Sequence, residues 1–197
     1  VVALHLVGRL AAEGFNAQHA TGSKSFTGNV RSLVGRRASH QFKYFNNFGQ
    51  SAPDSVDVLV LDEAHRIRKT SATRFTPKSK QTGLPQVEEI VLAANVSVFF
   101  IDDKQIVRPN EVGSADLIRD TASRLGANLI EFELDAQFRC GGSEGFINWV
   151  DNTLQVRRTA NVLWEGDEAF EFGIADSVQE LENWVRDKNN GGDTARL

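Results

Sequence analysis

In 197 residues the chain has no methionine, one tyrosine, four prolines and a single cysteine, Cys140. One thiol cannot build an internal disulfide framework, and it leaves no basis for a cysteine-based metal site, so Cys140 reads as a small buried apolar residue. No apolar run approaches the roughly 20 residues that cross a bilayer, and no secretory leader is visible. The expectation is a cytoplasmic chain with no membrane partner. Acidic residues are also missing, but locally: none lies between Gly14 and Pro53, and none between Ala64 and Val87.

Those windows carry Lys24, Arg31, Arg36, Arg37 and Lys43, then Arg66, Arg68, Lys69, Arg74, Lys78 and Lys80. A net charge of −4 therefore hides two unlike halves: residues 1–87 hold 12 Lys/Arg against 5 Asp/Glu, and residues 88–197 hold 10 against 21. A basic half of this kind is the electrostatic footprint of a nucleic-acid backbone. The competing explanation is a solvated face balanced by the acidic half. With 41% apolar and 24% charged residues, the chain can bury one large core, or one domain plus part of a second.

Apolar periodicity alternates between strand and helix. Val1–Ala12 reads as a helix with Val1, Leu4, Val7 and Leu10 on one stripe, stopped by Gly14. Strands are expected over Ala17–Thr21, Val56–Leu61, Val96–Ile101, Leu129–Leu134 and Ala169–Ala175, and a short one at Thr194–Leu197. Helices are expected over Gly28–Arg37, Gln86–Ala94, Ser114–Leu125 and from Ser177, whose spacing to Glu180 makes a capping box, to about Lys188. Strands separated by helices predict an α/β fold, a doubly wound and mostly parallel sheet flanked by helices. A boundary is expected near residue 160, with 161–197 opening a second lobe or hinge.

The most informative stretch is Val56-Asp57-Val58-Leu59-Val60-Leu61-Asp62-Glu63-Ala64-His65. A buried parallel strand that ends in two acids delivers carboxylates to the edge where ligands bind in open α/β sheets. This is the Walker B arrangement, in which Asp62 holds Mg²⁺ and Glu63 orients or deprotonates the attacking water. A P-loop enzyme also needs a Gly-rich turn followed by Lys and Ser/Thr, and residues 1–197 contain none. The phosphate loop is therefore expected upstream of a helix that starts at residue 1. On that expectation the chain by itself neither hydrolyses nor tightly binds ATP.

Three further clusters sharpen the reading. Asp102-Asp103-Lys104-Gln105 follows the Val96 strand, Leu134-Asp135-Ala136-Gln137-Phe138-Arg139 closes the Leu129 strand, and Thr21-Gly22-Ser23-Lys24 follows the Ala17 strand. In order and spacing these resemble superfamily 1 helicases. The resemblance implies that Asp102 and Gln105 sense the γ-phosphate, that Arg139 reaches it with Gln137 beside the nucleotide, and that Thr21 and Lys24 touch a single strand. The sequence departs from that pattern at Ile101, where the helicases have Gly. Closer still, the set Asp62–Arg68, Phe99–Pro109, Glu131–Leu134, Gln137–Cys140 and Asn148–Asn152 resembles the Schlafen-type, group 3-like DNA/RNA helicase-like domain family of bacterial P-loop NTPases. That resemblance spans nearly the whole chain and implies a RecA-like lobe with Mg²⁺ and ATP as cofactors and single-stranded DNA or RNA as partner.

The remaining candidates each have a second explanation. Arg139 suits a γ-phosphate because its guanidinium is permanently charged and delocalised, although a structural ion pair is the alternative. Gln105 can equally be a turn residue. His65 reads as a link between the hydrolysis site and its neighbours, while His5, His19 and His40 read as structural. In Phe42-Lys43-Tyr44-Phe45-Asn46-Asn47-Phe48, aromatics interleaved with Lys and amides can stack the bases of a single strand, but the phenylalanines recur every third residue and at least part of the set is expected inward, leaving Lys43, Tyr44 and Asn47 as the better candidates for nucleic-acid contact. Three functions stay open: a helicase or translocase core, a nucleotide-gated switch without unwinding, and a two-metal nuclease built on Asp62, Glu63, Asp102 and Asp103.

Overall fold

The computed structural model describes residues 2–106, 108–134, 144–164, 166, 172–192 and 195. Four strands, β1 (Ala17–Thr21), β2 (Phe42–Tyr44), β3 (Val56–Asp62) and β4 (Ala94–Phe99), form one all-parallel sheet in the order β2-β1-β3-β4. Every connection between parallel neighbours must cross over a face, which is why helices intervene. They are α1 (Val2–Ala12), α2 (Lys24–Leu33), α3 (Gly35–Ala38), α4 (Gln86–Leu92) and α5 (Ala115–Leu125).

Strand β3 is apolar on both faces because both are covered, as parallel sheets require. On one face α1 sets Ala3 and Val7 against Ala17, Val58 and Val60. On the other, Leu59 and Leu61 pack with Phe45, Phe48, Ile67, Val87, Ile90 and Ile118. Leu59, Leu61, Ile67 and Ile90 are fully buried, each worth about 1.5–3 kcal/mol of apolar transfer. The chain is thus α/β and doubly wound.

Local signals set the helix ends. Ser114 caps α5 through Leu117 N–H, and Gly126, at φ 67°, supplies the left-handed residue that ends it. Ser23 caps α2 through Phe26 N–H, so the helix expected from Gly28 begins at Lys24. Strand β4 begins two residues earlier than expected, at Ala94.

One expected strand is absent. Residues 127–134 have no regular structure, and Ile130, Phe132 and Leu134 are largely exposed. The alternation of apolar and acidic residues there encodes two unlike faces, but a strand also needs a hydrogen-bonding neighbour, and none of the described strands takes it. Residues 172–175 of the expected Ala169–Ala175 strand are likewise irregular. The rest of that segment, and Thr194–Leu197 apart from Ala195, lie outside the described residues.

Two compact units divide the chain, Val1–Glu131 and Phe132–Leu197. The second contains α6 (Glu144–Thr153) and α7 (Val178–Asn190). Phe146, Trp149, Trp164 and Phe172 cluster within it, with ring centroids 5.0–6.2 Å apart. Ser177 caps α7 by accepting from Glu180 N–H, while the Glu180 carboxylate reaches back to Asp176 N–H. Among the described residues no helix is long and apolar enough to cross a membrane.

Candidate functional site

Because all four strands run the same way, their C-terminal ends share one edge, and the register is explicit: Thr21 pairs with Tyr44 on one side and with Asp62 on the other. Asp102 follows β4 at the same edge. The sheet therefore gathers Thr21, Tyr44, Asp62 and Asp102 from segments far apart in the chain.

Asp62 is partly buried. Its Oδ1 accepts from Glu63 N–H at 3.1 Å, and its Oδ2 lies 3.6 Å from Nε2 of His19. The imidazole directed at it holds the Asp62 carboxyl below its usual value, against the opposing effect of burial; the Glu63 amide adds to the lowering. Asp62 is therefore ionised at neutral pH and can hold a cation. His19, expected to be structural, is fully buried between Phe26 and Phe42, and among the described residues neither ring nitrogen has a hydrogen-bond partner. The signal for it was register: His19 pairs with Val60, two residues before Asp62, so the two side chains meet diagonally on one face.

Glu63 sits in the left-handed region, φ 57° and ψ 47°, where a residue with a long side chain is strained by about 1–3 kcal/mol. The turn is held on several sides. Ala64 N–H donates to Phe100 O at 2.9 Å, Arg66 Nε lies 3.1 Å from Glu63 Oε2, and buried His65 approaches the same oxygen at 3.7 Å. His65 thus touches the Glu63 carboxylate within its own turn. Arg66, counted only as basic surface in the sequence, is the closest cation to Glu63; the Glu63/Arg66 spacing of three was the available clue.

The Asp102 turn closes on itself. Asp102 Oδ1 accepts from Lys104 N–H at 3.0 Å and its Oδ2 from Gln105 Nε2 at 2.9 Å. Asp103 accepts from Ala115 N–H at the start of α5. Both acids thus brace loops, and among the described residues no group of three or more His, Cys, Asp or Glu is placed to hold a metal ion. The two-metal nuclease cluster of Asp62, Glu63, Asp102 and Asp103 is therefore not formed.

The loop beyond is tied back to the Glu63 turn. Val112 and Gly113 both donate to Ile67 O, and a Cβ at Gly113 would stand 2.0 Å from Ala64 O. Only glycine allows that approach.

Of the expected nucleic-acid residues, Lys24 is exposed at the start of α2. Thr21 is buried, and its hydroxyl accepts from Ser23 N–H, so it braces the turn. Phe42, Phe45 and Phe48 point inward as expected. Lys43 and Tyr44 are half-buried and Asn47 exposed. The Arg31 guanidinium lies 5.2 Å from the Tyr44 ring centroid, and the Asn47 side chain accepts from Tyr44 N–H. Gln137 and Arg139 lie outside the described residues.

A family model described as Schlafen group 3, DNA/RNA helicase domain matches residues 1–197. No curated protein and no solved structure matches the chain.

Proposed function

The chain belongs to the Schlafen group 3 DNA/RNA helicase domain family, which assigns it a nucleic-acid helicase-like role, and from that premise we propose that it is part of an ATP-dependent helicase or translocase core. Residues 1–160 are read as a RecA-like lobe and 161–197 as the start of a second lobe or hinge. The observation that carries the proposal is the pair Asp62 and Glu63 at the C-terminal end of the buried strand β3, with Glu63 in a left-handed turn.

The donor set fits magnesium, which takes one or two carboxylates and completes its shell with water and phosphate oxygens. Asp62 would hold it, and the ion would supply charge neutralisation for a transferring phosphoryl group. Glu63 orients the attacking water and takes its proton, with Arg66 fixing the carboxylate's position. Asp102, Gln105, Gln137 and Arg139 are assigned to the nucleotide, Arg139 to the γ-phosphate. Lys24, Lys43, Tyr44 and Asn47, with Thr21 behind them, are assigned to single-stranded DNA or RNA.

The test is ATP turnover and nucleotide binding by the protein in its full-length form, with and without single-stranded DNA and RNA. Glu63→Gln should lower kcat by on the order of 10²–10⁴ while ATP affinity holds, because the amide keeps the shape and loses the base. Asp62→Ala should instead remove the Mg²⁺-dependent part of binding. Arg139→Ala should cost kcat by about 10³ and leave ADP affinity unchanged. Equal loss of ATP binding in the Glu63 and Asp62 variants would overturn the division of roles.

A further inference from the structure

Between the Glu63 turn and α4 runs a loop, residues 69–85, whose regular structure is one 3-10 turn, Lys78–Lys80. Loops longer than roughly 12–15 residues are uncommon in compact domains and are usually functional when they are ordered. This one is held from beneath by two polar side chains that α4 buries, Gln86 and Glu89, 2% and 6% exposed. Gln86 Oε1 accepts from Arg68 N–H at 2.8 Å, its Nε2 donates to Ser71 Oγ at 3.0 Å, and its backbone N–H donates to Lys69 O. Glu89 accepts from the Thr82 hydroxyl at the other end. Gln50 donates to Lys80 O, and Gln81 to Thr76 O. Buried amides and carboxylates are costly unless they are paired, and here the Gln86 amide and one oxygen of Glu89 take their partners around an exposed loop and fasten it.

That loop shows solvent an unusual surface. Phe75 is 78% exposed, and the guanidinium of Arg74 lies 4.6 Å from its ring centroid. Arg68, Lys69, Arg74, Lys78 and Lys80 are all exposed, and among the described residues none forms an ion pair. The segment contains no acid. An aromatic face with a guanidinium against it, ringed by unpaired cations, matches the chemistry of one unstacked base and its flanking phosphates.

We propose that the 69–85 loop is a single-stranded nucleic-acid clamp, in which a base stacks on Phe75 beside Arg74 while Lys78 and Lys80 meet phosphates. The proposal rests on the nucleic-acid reading above and adds a contact site to it. A duplex keeps its bases stacked on each other and offers Phe75 no face.

The experiment is fluorescence anisotropy with labelled single-stranded DNA, single-stranded RNA and duplex DNA, without nucleotide, across a salt series. Phe75→Ala should weaken single-strand binding about 5- to 150-fold, the 1–3 kcal/mol of one stacked base, with the salt slope unchanged. Lys78→Ala with Lys80→Ala should lower the slope of log K against log salt by about 1.4, roughly 0.7 per lost phosphate contact. These side chains are exposed, so the thermal midpoint should stay at the wild-type value. Wild-type binding that neither variant weakens, or duplex bound as tightly as single strand, overturns the clamp and leaves the nucleic-acid reading standing. No binding by the wild type to any of the three overturns both.

Discussion

Glu63 shows how one residue concentrates the physics of the site. Its backbone is strained, its carboxylate is held by Arg66 and approached by His65, and the next amide is tied to Phe100 O. Strain of this kind persists only where the surroundings over-determine it. Gly113 is part of those surroundings, since it presses directly on the Ala64 carbonyl. Gly113→Ala forces the backbone to move, and the expected loss is on the order of 1–3 kcal/mol, read as a lower urea midpoint. An unchanged midpoint would mean that residues 108–113 give way without transmitting the clash. His19 is the residue that the sequence hid most completely: a lone histidine in a strand carries no functional signal until the register puts Asp62 beside it.

Among the elements, β3 was legible to within one residue, Val56–Leu61 expected against Val56–Asp62 observed, because its central run Val58–Leu61 is buried on both faces and therefore apolar, and Asp62 marks where burial stops. The Leu129–Leu134 segment was not. Its pattern is that of a strand, yet pairing is a property of two segments, and the observed partner of Glu131 is a helix: Arg119 of α5 grips its carboxylate with Nε at 2.7 Å and a second nitrogen at 2.7 Å. That fork lowers the Glu131 carboxyl below its usual value. A group whose folded pKa is depressed contributes stability above its unfolded value and loses it as pH falls through the folded one. Glu131→Gln should therefore melt below the wild type at pH 7, and the gap should close as pH drops below about 4. A gap that persisted at pH 2 would have another cause than this ion pair.

At the scale of the molecule, residues 1–131 form a compact unit with both sheet faces covered. Expressed alone, they should unfold in one cooperative thermal transition by circular dichroism; a broad, non-cooperative melt would show that the core needs residues beyond 131. The alternation of strand and helix, the inward phenylalanines at 42, 45 and 48, and the acids closing β3 could all be read from the chain, because apolar periodicity and local capping are written in neighbouring residues. The strand order, the meeting of His19 with Asp62, the burial of Thr21 and the fastening of the 69–85 loop by Gln86 and Glu89 were decided by tertiary structure. Each of these joins side chains whose approach depends on how separate elements register and pack, and no single segment encodes that.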